Sequence, residues 1–249
     1  MASVRGAVRR LIAAAQMVAT GRAPGEGSEF RRALYAVTAS VGDPPLTFVD
    51  VGAGRGAWTR QLLAVAPGAA GLLVEAQLEM QPALAALSAD HRSLDVRIAV
   101  VGARKADVAP FYIVLGDEHR SGSSLRRELT RHPMVERTLP VVTLDEVVES
   151  SSLARRPIGL MKLDVQGSEL DVLSGVPRTL GRTSFVQLEV SFVAYNEGAP
   201  MVEDVIGEML RFGFVPVDLF DRRYASGRLL QADVLFGRTR PGVEDLIRR

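Results

Sequence analysis

The chain has 249 residues, of which 47% are hydrophobic, with a formal net charge of +1 and no cysteine. This length and hydrophobic content predict a globular protein of one large domain or two small ones. The absence of cysteine excludes thiolate chemistry and disulfides. Because the net charge is close to zero, there is no global electrostatic reason to expect a nucleic-acid partner.

The first 45 residues are predicted to form a helical extension. Basic residues precede a short apolar patch in residues 1–21, a pattern with a faint likeness to a signal peptide, but an amphipathic helix ending at Gly21 is the favoured interpretation. A Gly/Pro-rich break at Ala23–Glu29 precedes a second short helical pattern through Tyr35 and Val37. No apolar run approaches the roughly 20 residues of a membrane span. We therefore expect a soluble, cytoplasmic protein with no membrane partner.

From residue 46 onwards, strand and helix patterns alternate. Strands are predicted over Leu46–Val51, Gly71–Ala76 and Asp95–Gly102, with helices over Ala57–Ala66 and Glu79–Asp90 between them. Such alternation indicates an α/β fold with a mostly parallel sheet that helices cover on both faces.

The middle of the chain is less regular. A strand pattern over Ala109–Leu115 leads into the polar segment Gly116–Pro133, which is rich in Gly and Ser. A loop of this length inside a compact domain is usually a lid, a binding loop or disordered. We expect this segment to be mobile and to help form a substrate site, with Ser123 and Ser124 near it.

Regular patterns return in the second half of the chain. Thr143 and Glu146 have the spacing of a capping box, which predicts a helix from near Leu144. The remaining elements are predicted as a strand over Pro157–Asp164, a helix over Ser168–Gly175, a strand over Ser184–Val190, a helix with an apolar stripe from Val202 to Phe212, and two final strands that form an antiparallel pair. The predicted domain covers residues 46–240 and is followed by a tail at residues 241–249.

The turn after the first strand is a candidate cofactor site. Gly52, Gly54 and Gly56 allow positive φ and a close ligand approach beside a helix N-terminus, at the edge where α/β sheets bind ligands. Their spacing departs from the dinucleotide fingerprint, and the carboxylate of Asp50 would repel a pyrophosphate. Since Glu75 ends the second strand within reach of a ribose, the two acids predict S-adenosylmethionine. The alternative is that the glycines only form a tight turn and Glu75 caps a helix.

Charged residues also interrupt the later buried strands. Lys162 is one of two lysines in the chain, Asp164 ends the predicted fourth strand, and Glu189 lies on the next one. Two carboxylates at adjacent carboxyl ends can bind a divalent metal or act as a general base, whereas Asp164 alone could be a helix cap. Lys162 is predicted to neutralise a neighbouring acid, with Glu189 as a candidate. Glu169 either compensates a helix dipole or contacts the site.

Several stretches together resemble the FkbM family of S-adenosylmethionine-dependent O-methyltransferases. They are FVDVGAGRGAWT, LVEAQ, SGSSL, VVTLDEVV and, most specifically, MKLDVQGSELDVLSG. The resemblance covers most of the chain, from Leu46 to Gly237. It implies the Rossmann-like class I methyltransferase fold, with a seven-stranded sheet whose last pair is antiparallel. It also implies a small hydroxylated acceptor such as a sugar or a polyketide-type natural product.

The predicted catalytic residues are Asp164, Glu189 and Lys162, and the predicted cofactor-binding residues are Asp50, Gly52, Gly54, Gly56 and Glu75. Gln166 stands where the family often has Glu, so it is left outside the catalytic set. His119 and His132 are alternative bases, Trp58 is assigned to the core, and a divalent metal is left undecided. Two other functions stay open: an NAD(P)-dependent oxidoreductase, which rests on the glycine turn alone, and a non-catalytic nucleotide-binding interaction module.

Overall fold

The computed structural model describes residues 28–42, 45–115, 122–129 and 132–238. The strands in these ranges are β1 (Thr47–Val51), β2 (Ala70–Glu75), β3 (Leu94–Ile98), β4 (Val100–Gly102), β5 (Ala106–Val114), β6 (Met134–Thr143), β7 (Ile158–Leu163), β8 (Thr183–Ser191), β9 (Phe214–Ala225) and β10 (Arg228–Arg238). The helices are α1 (Ser28–Val41), α2 (Ala57–Val65), α3 (Gln81–Asp90), α4 (Leu144–Glu149), α5 (Glu169–Ser174), α6 (Pro177–Leu180) and α7 (Val202–Arg211), and a single 3-10 turn spans Leu78–Met80.

Seven strands form one sheet in the order β3-β2-β1-β7-β8-β10-β9. The first five of these run parallel to one another, whereas β10 runs antiparallel to both β8 and β9. Strand β1 lies at the centre and all five of its residues are buried. The predicted class I methyltransferase fold, with its antiparallel last pair, is confirmed.

Two hydrophobic clusters cover the two faces of this sheet. Helices α1, α2 and α3 pack on one face, where Phe30, Phe48 and Leu62 are buried. Helices α4 to α7 pack on the other face, where Val172 and Met209 are buried. The sheet is thus shielded on both sides, and polar chemistry is confined to its edges and strand ends.

The predicted third strand is wrong in one respect, because it is split at Ala99. The amide of Ala99 donates to the carbonyl of Glu75 at 2.8 Å and so stays with the large sheet. Strand β4 then leaves that sheet and pairs with β6 in a second, three-stranded sheet of order β4-β6-β5. This small sheet stands beside the carboxyl end of β2 and forms one wall of the cavity described below.

Helix α1 belongs to the predicted N-terminal extension, yet it packs on the sheet through Phe30, Leu34 and Val37. The domain boundary at residue 46 stays a prediction. The predicted helix ending at Gly21, His119 and the tail at residues 241–249 lie outside the described residues. In the part of the chain that is described, no helix is long and apolar enough to cross a membrane.

The predicted capping box at the start of α4 is present. The amide of Thr143 donates to Glu146 Oε2 at 2.9 Å, and the amide of Glu146 donates to Thr143 Oγ1 at 3.3 Å. Replacing Thr143 by Ala should lower the free energy of unfolding by about 1 kcal/mol, because one helix N–H loses its acceptor. Urea unfolding followed by circular dichroism measures this change. Thr143→Ser keeps the hydroxyl and should unfold like the wild type; equal losses in both variants would contradict a capping role.

Candidate active site

A cavity of about 710 Å³ lies at the carboxyl ends of the central parallel strands. The turn after β1, the end of β2, strand β7 and the loop after it form its floor, while β8, β9 and β10 line one side. The small sheet and residues 122–128 line another side. This is the edge at which open α/β sheets bind their ligands.

The three glycines of the first turn have different roles. Gly52 has a φ of 75°, and a Cβ there would lie 1.9 Å from the carbonyl oxygen of Asp164. Gly54 lines the cavity with a φ of 54°, and a Cβ there would have no atom within 4 Å. Gly56 does not line the cavity; a Cβ there would lie 2.7 Å from the Leu87 side chain. Only Gly54 therefore leaves open space for a ligand.

Glu75 connects the glycine turn to the end of β2. Its Oε2 accepts a hydrogen bond from the amide of Gly54 at 2.7 Å, and its Oε1 accepts one from the amide of Gln77 at 2.9 Å. Burial raises the pKa of Glu75, while these amides act against the shift. A carboxylate oxygen has two lone-pair sites, so Glu75 can still accept hydroxyl hydrogens from the cavity it lines.

Asp50 is fully buried beneath the turn and does not line the cavity. It accepts a hydrogen bond from the Thr59 hydroxyl at 2.6 Å, and its other oxygen lies 3.6 Å from Lys162 Nζ. Burial raises its pKa, against the effect of Lys162. The predicted contact between Asp50 and a cationic cofactor therefore has no direct counterpart here; Asp50 acts on the site through Lys162.

Lys162 lies between two carboxylates. Its Nζ is 3.1 Å from Asp164 Oδ2 and 3.6 Å from Asp50 Oδ1, and it lies 5.9 Å from the centre of the Trp58 ring. Burial alone would lower the pKa of Lys162, but the charges of Asp164 and Asp50 raise it above its usual value. In turn, burial would raise the pKa of Asp164, but Lys162 holds it below its usual value.

The proposed pairing of Lys162 with Glu189 is not what the structure shows. Lys162 is in register with Gln187 on β8, so Glu189 lies two residues further along that strand. Among the ion pairs of the described residues, Glu189 pairs with Arg223 of β9, whose Nη1 lies 3.6 Å from Oε1. Lys162 therefore neutralises Asp50 and Asp164 and leaves Glu189 to other partners.

Gln166, which the sequence analysis left outside the site, connects the two predicted catalytic acids. Its Nε2 donates to Asp164 Oδ1 at 2.8 Å and to Glu189 Oε2 at 3.1 Å. Glu189 also accepts a hydrogen bond from Gln231 Nε2 at 3.0 Å. Burial, followed by the charge of Asp164, raises the pKa of Glu189 to about 8. The two acids thus lie side by side with pKa values moved in opposite directions.

Asp233 is a further cavity acid that the sequence analysis missed. It is opposite Glu189 in the β8–β10 register and accepts a hydrogen bond from Gln187 Nε2 at 2.6 Å. Burial raises its pKa to about 6. Trp58, assigned to the core, packs on Phe30 and also reaches the cavity, where its Nε1 donates to Gln187 Oε1 at 3.1 Å. Asp233 interrupts an apolar strand as Lys162 does, so the same signal could have identified it.

Glu169 and Ser124 hold the loop that carries Gln166. Glu169 Oε1 accepts hydrogen bonds from the amides of Val165 at 3.0 Å and Gly167 at 3.2 Å, and burial raises its pKa to about 7. Ser124 Oγ lies 3.0 Å from the carbonyl oxygen of Gln166, to which it donates. Glu169 therefore contacts the site through the loop backbone, which is one of the two roles predicted for it.

Part of the predicted loop Gly116–Pro133 is described and contacts the cavity. Ser123 and Ser124 both line it, and Ser124 pairs with Tyr112 of β5. His132 is exposed and also lines the cavity. Among the described residues, no three His, Asp or Glu side chains are grouped so as to hold a metal ion. The role of the loop and the use of a metal stay predictions.

Comparison with known proteins identifies the family. The model of the methyltransferase FkbM domain matches residues 50–216 of the chain, which is about two thirds of its length. Comparison with curated proteins gives no match.

Three solved structures are among those to which this chain is similar. An rRNA methylase from Streptococcus thermophilus has 12% sequence identity and a TM-score of 0.47, covering 87% of this chain and 100% of its own. The N-terminal domain of EvdMO1, crystallised with S-adenosylhomocysteine, has 13% identity and a TM-score of 0.47, covering 93% and 97%. WbdD has 15% identity and a TM-score of 0.45; the match covers 81% of this chain but 38% of WbdD.

The glycine geometry gives a test of where the cofactor lies. Gly54→Ala should weaken S-adenosylmethionine binding about tenfold, because the new methyl group enters the open space beside Glu75. Gly54→Ala should also lower the free energy of unfolding by about 1–2 kcal/mol, because Ala is unfavourable at a left-handed φ. Gly52→Ala should instead cost roughly 3–5 kcal/mol, because its Cβ would overlap a carbonyl oxygen at the same unfavourable φ.

Isothermal titration calorimetry and thermal unfolding measure the two effects. Gly207→Ala in α7 is the control, since a Cβ there meets nothing within 4 Å and α-helical backbone suits Ala. It should leave binding unchanged. Wild-type affinity in folded Gly54→Ala would exclude the cofactor from this turn.

Proposed function

Because the chain belongs to the FkbM methyltransferase family, we propose that it transfers a methyl group from S-adenosylmethionine to a hydroxyl group of a small acceptor. The observation that carries the choice of a hydroxyl is the pair Asp164 and Glu189. They lie at adjacent strand ends on the cavity, joined by the Gln166 amide, and the pKa of Glu189 is raised to about 8. A hydroxyl acceptor must lose its proton on methylation, and this pair offers a group to receive it.

The cavity residues fit the cofactor. Bound S-adenosylmethionine supplies a methyl group activated by a positively charged sulfur. The open space at Gly54 allows close approach to the backbone, and the Glu75 carboxylate beside it can accept hydrogen bonds from ribose hydroxyls. Asp164 keeps its negative charge through Lys162 and so favours a cationic ligand. Gly52 and Gly56 shape this turn, and Asp50 fixes Lys162 below it.

The two acids are suited to different tasks. Lys162 holds the pKa of Asp164 low, which makes Asp164 a weak base that can orient an acceptor hydroxyl as a hydrogen-bond acceptor. Glu189 has its pKa raised to about 8, so its ionised form is a strong enough base to take a proton near neutral pH. Pairs of acids with opposite pKa shifts commonly divide catalytic roles in this way. We assign Glu189 as the base and Asp164 as the orienting group.

The acceptor is proposed to be a sugar or a polyketide-type natural product. Beside apolar side chains, the cavity lining includes the polar side chains of Ser123, Tyr195, Arg223 and Asp233. Such a lining suits a compact molecule with several hydroxyl groups. The enzyme would act in the cytoplasm on a diffusible acceptor.

A methyl-transfer screen tests this proposal. The purified chain is incubated with S-adenosylmethionine and panels of glycosides, hydroxylated polyketides, amines and carboxylic acids, and products are detected by mass spectrometry. A gain of 14 Da on a hydroxyl of one panel, located by fragmentation, is the expected result. Methylation confined to amine or carboxylate acceptors would overturn the assignment to a hydroxyl group. Cofactor binding without any transfer would favour a non-catalytic module.

Glu75→Ala should weaken S-adenosylmethionine binding by ~1.5–3 kcal/mol, roughly ten- to a hundred-fold, because charge-assisted hydrogen bonds are lost. The amides of Gly54 and Gln77 also lose their acceptor. Calorimetry with S-adenosylmethionine measures the change. Glu79→Ala, four residues along the chain at the surface, is the control and should bind normally. Unchanged affinity in folded Glu75→Ala would remove Glu75 from the cofactor site.

The base assignment predicts a pH dependence of the reaction. Glu189 must be ionised to accept a proton, so kcat/KM should rise about tenfold per pH unit below a pKa of about 8 and level off above it. Glu189→Gln should lower turnover by ~10²–10⁴ and abolish this rise, because an amide cannot take the proton.

Asp164→Asn separates the two acids in the same assay. It should lower turnover, because the acceptor is no longer oriented. The rise of kcat/KM with pH should remain, because Glu189 still titrates. If Asp164→Asn abolishes the rise of kcat/KM with pH and Glu189→Gln retains it, Asp164 is the base and Glu189 the orienting group. Repeating the wild-type assay with magnesium chloride or with EDTA decides whether a divalent metal takes part.

A further inference from the structure

We propose that Gln166 is a positioning residue for the methyl transfer: its side-chain amide holds the carboxyl groups of Asp164 and Glu189 in the arrangement that receives the acceptor. This inference rests on the proposed function. The nitrogen carries two hydrogens, and it lies 2.8 Å from Asp164 Oδ1 and 3.1 Å from Glu189 Oε2. One neutral group thus connects acids on two neighbouring strands.

The side-chain amide of Gln166 is uncharged, and this affects how strongly the two acids bind a proton. A cation placed between the two carboxyl groups would stabilise the ionised form of both and make each a weaker base. An amide donates hydrogen bonds to both without adding a positive charge. The acids can therefore stay close while only Asp164, next to Lys162, is held firmly ionised. Gln166 fixes the geometry and leaves Glu189 able to titrate.

The backbone at Gln166 supports a functional reason for the residue. Its φ of 53° lies in the left-handed region, where a side chain with a Cβ is unfavourable. Glu169 binds the amides on both sides of it, and Ser124 binds its carbonyl oxygen. The surrounding loop is thus built to hold a strained non-glycine residue on the cavity wall, and such strain concentrates at functional sites.

Several other titratable groups surround Glu189, and one of them is Tyr195 from the loop after β8; the others carry charge. These are Asp164 from the end of β7, Glu169 from α5, Arg223 from β9 and Asp233 from β10. Gln231 of β10 donates a second amide hydrogen to the same oxygen, Oε2. Only Gln166 donates to both Glu189 and Asp164 among the contacts described, so its removal should separate the pair.

Gln166→Gly is the central test, because it removes the amide and also relieves the left-handed strain. Ser226→Gly is the matched control: Ser226 is an exposed residue of the β9–β10 turn with a φ of 49°. The titration of Glu189 is followed by carbon-13 NMR of its carboxyl group, assigned with Glu189→Gln. This readout needs neither cofactor nor acceptor.

The Glu189 titration should move to higher pH by about one unit or more in Gln166→Gly, because a donor to the ionised form is lost. Ser226→Gly should titrate like the wild type. With an acceptor found in the screen, Gln166→Gly should lower kcat about ten- to a hundred-fold and change KM for S-adenosylmethionine less than about twofold. A Gln166→Gly protein with the wild-type Glu189 titration would overturn the proposal.

A second variant keeps the test decisive if Gln166→Gly does not fold. Gln166→Asn retains an amide and tolerates the left-handed region, but it is one methylene shorter and cannot span both acids. It should shift the Glu189 titration in the same direction, and a wild-type titration would again overturn the proposal. A screen without any methylated product would count against the proposed function, whereas the NMR titration would still decide the role of Gln166.

Discussion

The site depends on one buried cation. Lys162 lies opposite Asp50 in the register of the two central strands and also reaches Asp164 at the strand end. A buried charge without a partner costs several kcal/mol or more, so each member of this trio requires the others. At the centre of the sheet, Lys162 favours the ionised form of the fully buried Asp50, against the effect of burial, which raises the pKa of that carboxyl group. The acid that faces the cavity, Asp164, is partly exposed, and Lys162 lowers its pKa and so favours its ionised form.

The same arrangement explains why the two cavity acids differ. Lys162 pairs with Asp50 and Asp164, whereas Glu189 lies two residues beyond Gln187, the register partner of Lys162 on β8. Glu189 accepts hydrogen bonds from the amides of Gln166 and Gln231 and has Arg223 at 3.6 Å. The negative charge of Asp164 then opposes ionisation of its neighbour. The charge of Asp164 thus adds to the effect of burial in making Glu189 a stronger base.

Much of this could be predicted from the sequence, because alternating patterns and short motifs encode local structure. The strand–helix alternation, the capping box at Thr143 and the adjacency of the strands carrying Asp164 and Glu189 were all predictable. The break at Ala99 was not, because it depends on a hydrogen bond to Glu75 on a different strand. The contacts of Gln166 with Asp164 and Glu189 were also missed. Gln166 is a neutral loop residue, and Glu189 lies 23 residues further along the chain, so only the folded structure shows that the amide lies between the two acids.

The glycine turn and the start of the loop at Asp164 are joined by close backbone contacts. The amide of Gly52 donates to Val74 on β2, and that of Asp164 donates to Val51 on β1. The Cα of Gly52 lies so close to the carbonyl of Asp164 that no side chain fits between them. The turn and Asp164 therefore constrain each other's position directly. Methyl transfer requires donor and acceptor to be aligned within a fraction of an ångström, and this shared backbone contact fixes the distance between the turn that would hold the donor and the acid that would orient the acceptor.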